Sequence, residues 1–263
     1  MRKPSRSCRG LSICEDLSCP YTDQHRRTSR LKREDVVDRQ NKPMAQTFKA
    51  VIFDFDGTLV DSYQAITASV NHVRAAHNLP PLSEPEIRRC VGRGPAYLLE
   101  HTVPGTDLNK DMARYRAHHP SVLRSGTRLL PGVSETLNIL KKAGLHLAVC
   151  SNKPRDFTRE LLDSLGLAPL MEAVIGPEDA ARIKPAPDML LAALQQLKVA
   201  PAEALYVGDM VVDIETARAA GVTVWVIPTG SDERSTLEAA KPDHLMGEFR
   251  ELGSLSAAGD HFS

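Results

Sequence analysis

No stretch of this 263-residue chain approaches the roughly 18–20 consecutive apolar residues of a membrane-spanning helix. Nothing near Met1 has the apolar core of a secretory signal. Net charge is also lacking, because 33 Lys/Arg balance 33 Asp/Glu. The balance is local rather than uniform. Residues 1–43 hold 11 basic and 6 acidic residues, so the remainder is mildly acidic. That remainder carries no basic footprint for nucleic acid. Cysteine is sparse, with five in all. Cys8, Cys14 and Cys19 lie in the first 43 residues, and their spacings fit no common zinc pair. Cys90 and Cys150 fall in a helix-like and a strand-like segment. This is no disulfide framework, and a reducing cytoplasm is the expected location.

What is present divides at residue 44. Residues 1–43 are rich in Arg and Ser and show no sustained apolar period, which predicts a disordered arm. Translation starting at Met44 would leave the arm out, and a basic tether to an anionic partner is the rival reading. Six acids argue against an organelle transit peptide. Hydrophobic residues make up 42% of the chain, enough for a sizeable core.

From residue 48 onward apolar runs alternate with helical stretches. FKAVIF (48–53), LHLAVC (145–150), EAVIG (172–176), ALYVG (204–208), VTVWVI (222–227) and DHLM (243–246) read as strands. Near-continuous apolar runs suit strands of a parallel sheet buried on both faces. VSETLNILKKAG (133–144), FTRELLDSLG (157–166), PDMLLAALQQL (187–197) and DIETARAAG (213–221) read as helices, three of them stopped by Gly. The alternation predicts an α/β fold with a Rossmann-like doubly wound parallel sheet. About 75 residues between the first strand and LLPGVSETL hold only helix-like stretches: 62–78, 83–92, 95–103 and 109–123. They predict a helical subdomain inserted over 61–126. The expected core is 44–60 with 127–263.

The string AVIFDFDGTLVDS (50–62) ends an apolar run in Asp54 and Asp56, followed by Gly57 and Thr58. Carboxylates at a buried strand tip are costly unless paired, hydrogen-bonded or bound to metal. Further polar strings sit in matching places. Ser151-Asn152-Lys153 follows the second strand, Lys184-Pro185 precedes a helix, and Asp209 to Asp213 follow ALYVG. Ligands of open α/β sheets bind at the carboxyl ends of strands, so these groups are expected to converge on one edge. Plainer readings exist for each. Asp54 and Asp56 could form a turn and helix cap. Asp213 could merely cap its helix, and Thr58 could be a turn residue. Lys153 reads as a surface charge, Trp225 as core, and His118-His119 as a solvated helix end.

In this order DFDGTLVDS, SNK, KP and GDMVVDIETA resemble the four motifs of the haloacid dehalogenase superfamily, over residues 48–250. The resemblance implies a phosphohydrolase core with a helical cap at 61–126. It makes Asp54 the nucleophile and Asp56 the general acid and base. Asp54, the Asp56 backbone carbonyl and Asp209 would bind Mg²⁺, with Asp213 orienting the ion or its waters. Lys184 would neutralise phosphate and nucleophile together. Ser151 and the backbone amides near Gly57 and Asn152 would bind phosphate, with Thr58 beside them. An acid at position 56 favours phosphoryl transfer over dehalogenation.

The segment CVGRGPAYLLEHTV (90–103) resembles the cap of phosphoglycolate phosphatases. By that resemblance Gly92 and Gly94 would let backbone approach the substrate, and Arg93 would meet its carboxylate. The implied partner is a small phosphorylated metabolite, with neither nucleic acid nor membrane. Sugar-phosphate phosphatase, pyrophosphatase, phosphomutase and a catalytically silent binding module remain alternatives. The sequence leaves monomer or homodimer open.

Overall fold

The structure is a computed structural model that describes residues 48–259. The arm over 1–43, with Cys8, Cys14 and Cys19, lies outside the described residues. The chain enters through β1 (Ala50–Phe53) and the short β2 (Val60–Asp61). Four helices follow: α1 (Tyr63–Ala76), α2 (Glu84–Arg88), α3 (Gly94–Thr102) and α4 (Leu108–Leu123). After β3 (Arg128–Leu129) come α5 (Val133–Lys142), β4 (His146–Cys150), α6 (Arg155–Ser164) and β5 (Ala173–Ile175). Next are α7 (Asp188–Leu197), β6 (Ala204–Gly208), α8 (Val211–Ala220) and β7 (Thr223–Val226). Last come α9 (Arg234–Ala239), β8 (His244–Leu245) and a run of 3₁₀ turns, Phe249–Gly259.

Six strands form one parallel sheet in the order β5-β4-β1-β6-β7-β8. The chain fills the sheet from β1 to one side through β4 and β5, then crosses back to β6 and continues the other way. The order therefore reverses at β1, where Phe53 is in register with both Val149 and Val207. A crevice opens at such a reversal because the connections on either side leave in opposite directions.

Alternation along the strands sorts side chains into two apolar layers. Val51, Phe53, Leu147, Val149, Leu205 and Val207 pack in one layer with Leu137 and Leu140 of α5 and Leu161 of α6. Ala50, Ile52, Ala148, Cys150 and Tyr206 pack in the other with Leu190 of α7 and Ile214 of α8. Fully burying each such Val, Leu or Ile is worth about 1.5–3 kcal/mol, which fixes the register of the central strands. Trp225, expected in the core, is only half-buried. The adjacent β8 is short and last in the sheet, so its ring rests edge-on against His244 at 4.8 Å.

The four expected helical stretches of the insertion are helical, but α2 is shorter than 83–92 suggested. Gly92 has φ +104° and the chain leaves helical geometry before it. β2 and β3, which no apolar run announces, pair antiparallel where the chain enters and leaves the insertion. Two-residue strands carry no readable period. Beside β3, Gly126 passes so close to α1 that an added Cβ would lie 2.7 Å from the Ala65 nitrogen. Among the described residues no helix is long and apolar enough to cross a membrane.

Candidate active site

Asp54 directly follows β1, Ser151 follows β4 and Asp209 follows β6. Three neighbouring parallel strands thus deliver three polar groups to one edge. Lys184 reaches the same place from the loop before α7. Its buried ammonium lies 2.7 Å from Asp213 Oδ1, 3.0 Å from Asp54 Oδ2 and 3.1 Å from the Tyr206 hydroxyl. Asn152 holds that loop, accepting from the Lys184 N–H at 3.0 Å and donating to its carbonyl at 3.2 Å.

Asp213 sits in the first turn of α8, which starts two residues earlier than the sequence suggested. Its Oδ2 accepts from the Asp209 and Met210 amides at 3.1 and 3.0 Å. Its Oδ1 accepts from Lys184 and Tyr206. Capping and charge pairing therefore coexist in one carboxylate. Asp209 is buried beside it, accepting from the Thr58 hydroxyl at 2.8 Å and the Ser231 amide at 3.3 Å. Burial pushes the Asp209 carboxyl well above the usual range, and the Asp213 and Asp54 charges add to this. Burial raises Asp213 to about 6 against the opposing Lys184 charge. Burial alone would lower Lys184, but Asp213 and Asp54 outweigh it and hold the ammonium charged.

Each of Asp54, Asp209 and Asp213 offers one oxygen within 4.8 Å of the others. Three buried carboxylates share a single ammonium. Asp54 Oδ1 is buried and has no hydrogen-bond partner among the described residues. The donor set is all oxygen, which suits a hard divalent cation such as Mg²⁺. The residues present fit such an ion, which would favour the ionised forms that burial disfavours. Gly57 makes the crowding possible. With φ +89°, an added Cβ would lie 2.5 Å from Asp209 Oδ2.

Asp56 is held separately. Its Oδ1 accepts from Ser62, and Lys153 Nζ lies 3.2 Å from both carboxylate oxygens. Ser62 stands at the N-cap of α1, caps no amide with its side chain, and donates its hydroxyl proton to Asp56. Lys153, expected at the surface, is buried. The ion pair with Asp56 offsets the cost of burying its charge.

A small cavity lies between this edge and the inserted helices. Asp54, Asp56, Ser151, Asn152 and Lys153 line it from the core. Ile66, Gly94, Leu98, Tyr115 and His119 line it from the insertion. His119, expected at a solvated helix end, is fully buried. Its partner in the sequence reading, His118, is half-buried. The α4 face carrying Tyr115 and His119, one turn apart, turns toward α1 and α6 rather than solvent. That i, i+4 spacing is the signal that would have found His119.

Several expected substrate groups are otherwise engaged. The Gly57 N–H is bonded to the Val60 carbonyl at 2.8 Å. The Thr58 hydroxyl is bonded to Asp209, which excludes the simple turn reading. The Asn152 side chain is spent on Lys184 and on the Gly92 carbonyl, which leaves the backbone amide expected to bind phosphate unaffected. The Ser151 hydroxyl accepts from the Lys153 amide at 3.3 Å and keeps its own proton to donate. Arg93 is exposed, lies 5.4 Å over the Tyr97 ring and does not line the cavity. It is the N-cap of α3, and its side chain makes no capping hydrogen bond. Gly230 went unnoticed in the sequence, yet an added Cβ there would strike Asp209 Oδ2 at 1.5 Å.

Comparison with known proteins identifies the family. The sequence pattern of the haloacid dehalogenase-like hydrolases matches residues 51–227. A phosphoglycolate phosphatase of Rhodospirillum rubrum is 38% identical over 193 residues, 69% of this chain and 80% of that one. One from Salmonella typhi is 31% identical over 231 residues, 79% of this chain and 92% of that one. A crystal structure described as a predicted phosphoglycolate phosphatase from Haemophilus somnus superposes with TM-score 0.76 at 28% identity. That match covers 81% of this chain and 99% of the other. With a carboxylate cluster at the reversal point of a parallel sheet and a match over most of its folded part, this chain belongs to the haloacid dehalogenase-like hydrolases.

Proposed function

We propose that the protein is a Mg²⁺-dependent phosphatase that hydrolyses a small phosphomonoester through an aspartyl-phosphate, with 2-phosphoglycolate as the preferred substrate. The observation that carries this reading is Asp54 Oδ1, buried, unpaired and on a residue lining the cavity. An unpaired buried acceptor costs about 1–3 kcal/mol, which a purely structural carboxylate would avoid. A nucleophile has to keep one oxygen open. The names of the relatives support the choice of substrate.

Asp54 Oδ1 attacks phosphorus, the ester P–O bond breaks, and the leaving oxygen takes a proton from Asp56. Water then attacks the phosphoaspartate, Asp56 takes its proton, and the bond to Asp54 breaks to release phosphate. Lys153 and Ser62 aim Asp56 for both transfers. Lys184 holds Asp54 and balances its charge. The Ser151 hydroxyl donates to a phosphate oxygen. Asp54, Asp209 and the Asp56 carbonyl would hold the metal. Asp213, whose oxygens already accept four hydrogen bonds, fixes the Lys184 and Asp209 positions around it. The ion supplies positive charge against the phosphate oxygens. Residues 61–126 act as a cap over the core of 44–60 and 127–263, excluding water while phosphate is transferred.

Phosphate release by the full chain tests the reading. The panel holds 2-phosphoglycolate, pyrophosphate, sugar phosphates and nucleotides, each with Mg²⁺ and with EDTA. Metal-dependent release dominated by 2-phosphoglycolate is expected, and Asp54→Asn should lower it on the order of 10⁴- to 10⁶-fold. Release spread over sugar phosphates would discard the substrate assignment. Asp54→Asn retaining most activity would remove the nucleophile.

A further inference from the structure

Four buried side-chain atoms lack a hydrogen-bond partner among the described residues, and two belong to residues lining the same cavity. One is Asp54 Oδ1, from the sheet. The other is His119 Nε2, from the inserted helix α4. Buried polar atoms without partners are rare, and each calls for a reason. Asp54 Oδ1 has one in the attack on phosphorus. His119 Nε2 has none in the chemistry described so far.

The proton on His119 can be placed from its neighbours. Ser69 Oγ lies 2.9 Å from His119 Nδ1 and 3.3 Å from His118 Nδ1. One hydroxyl proton cannot serve both rings. One proton placement satisfies both contacts: Ser69 donates to His119 Nδ1 while His118 Nδ1–H donates to Ser69 Oγ. A neutral His119 then carries its own proton on Nε2. Burial keeps the ring neutral, and Lys153 and His118 reinforce this, with the pKa lowered to about 3. The ring is fixed by stacking on Tyr115 and by an edge contact to Phe157, both at 4.9 Å between centroids. The result is a rigid, neutral N–H donor in the cap wall.

We propose that His119 sets leaving-group specificity, its Nε2–H donating to a carboxylate oxygen of a phosphorylated hydroxy acid. This rests on the phosphatase reading above. Lys153 favours a carboxylate over a neutral acceptor, because its ammonium lines the same cavity and its bonds to Asp56 use two of its three protons. Of the other cap residues lining the cavity, Ile66, Val91 and Leu98 offer a leaving group no hydrogen bond, while the Tyr115 hydroxyl is a second donor on the same helix. The carboxylate role expected of Arg93 thus passes to a residue of α4.

The test compares 2-phosphoglycolate with ethyl phosphate, which has the same two-carbon chain without the carboxylate. His119→Asn keeps an amide near Nδ1 for Ser69 and loses the distal donor. His119→Gln places an amide near Nε2. The ratio of kcat/KM for the two substrates should fall about ten- to a hundredfold in His119→Asn and recover in large part in His119→Gln. Equal losses on both substrates, or recovery in Asn rather than Gln, would assign His119 to packing alone and overturn the proposal. A second readout does not need turnover. In metal-free wild-type protein, the ¹⁵N resonance of His119 Nε2 should shift on saturation with 2-phosphoglycolate and not with ethyl phosphate. An unmoved resonance overturns the proposal, whether or not the protein hydrolyses phosphate esters. A shifted resonance without hydrolysis would sustain the binding role and discard the phosphatase reading.

Discussion

His119 also has a thermodynamic signature. Its ring is fully buried and faces Ser69 of α1, Phe157 of α6, Lys153 of the core and His118 on its own helix. The folded pKa of about 3 lies below the ordinary value of 6.5, so folding favours the neutral form. The stability this group contributes is complete above pH 6.5 and is lost as pH falls from there toward about 3. Wild type should lose up to about 1.4 kcal/mol more per pH unit in that window than His119→Phe, which cannot titrate. Denaturant melts of both proteins at pH 7.5, 6 and 5 measure the difference. Parallel profiles would mean that the imidazole charges without cost in the folded state. At this scale the sequence was a partial guide. Asp54, Asp56, Lys184, Asp209 and Asp213 could be picked out because acids at strand ends are costly without a purpose. Lys153 and His119 were missed, because a Lys in a loop and a His pair late in a helix are usually solvated, and only the i, i+4 spacing of His119 to Tyr115 pointed otherwise. The packing of α4 on α1 and α6 buries His119, and Lys153 lies buried against Asp56.

Among the elements, the six sheet strands were legible because each is a short apolar run between turn signals. The β2–β3 pair was not, and neither was the shortening of α2. That short helix carries a contact the sequence does not announce. The Arg88 guanidinium donates to the Thr229 and Gly230 carbonyls at 2.6 and 3.0 Å and lies 4.0 Å over the Tyr63 ring. The next residue, Ser231, donates its amide to Asp209. Arg88 thus ties α2 to the loop that holds a proposed metal ligand. Arg88→Ala should lower amide-exchange protection in both 84–88 and 229–231 and raise KM about tenfold, consistent with losing charged hydrogen bonds of about 1.5–3 kcal/mol. Loss of protection in α2 alone, with 229–231 unchanged, would show that the two segments are not coupled.

For the molecule as a whole, the carboxylate cluster makes stability depend on a cation. Without one, Asp54, Asp209 and Asp213 are buried around a single ammonium. An ion that binds only the folded state at a hundred times its Kd adds about 2.7 kcal/mol. For a domain of this size that corresponds to a rise in Tm of about 5–10 °C between EDTA and saturating Mg²⁺. Asp209→Asn should lose most of the Mg²⁺ shift, since it removes a carboxylate of the cluster. An unchanged shift in Asp209→Asn would place the ion elsewhere.

The sequence by itself determined the sheet, the helical insertion and the acids that meet at its edge. Each of these is encoded locally, in apolar runs, glycine stops and polar residues immediately after strands. The tertiary structure decided what surrounds those acids. It turned Arg93 outward over Tyr97, spent Thr58 on Asp209, and gave Asp56 to Ser62 and Lys153. It also brought His119 to the wall of the cavity. Thr58 meets Asp209 across 151 positions, Lys153 meets Asp56 across 97 and His119 meets Ser69 across 50, and such contacts have no local period to betray them. They exist only because burying the two faces of the sheet and the seam of α1 with α4 brings those segments together.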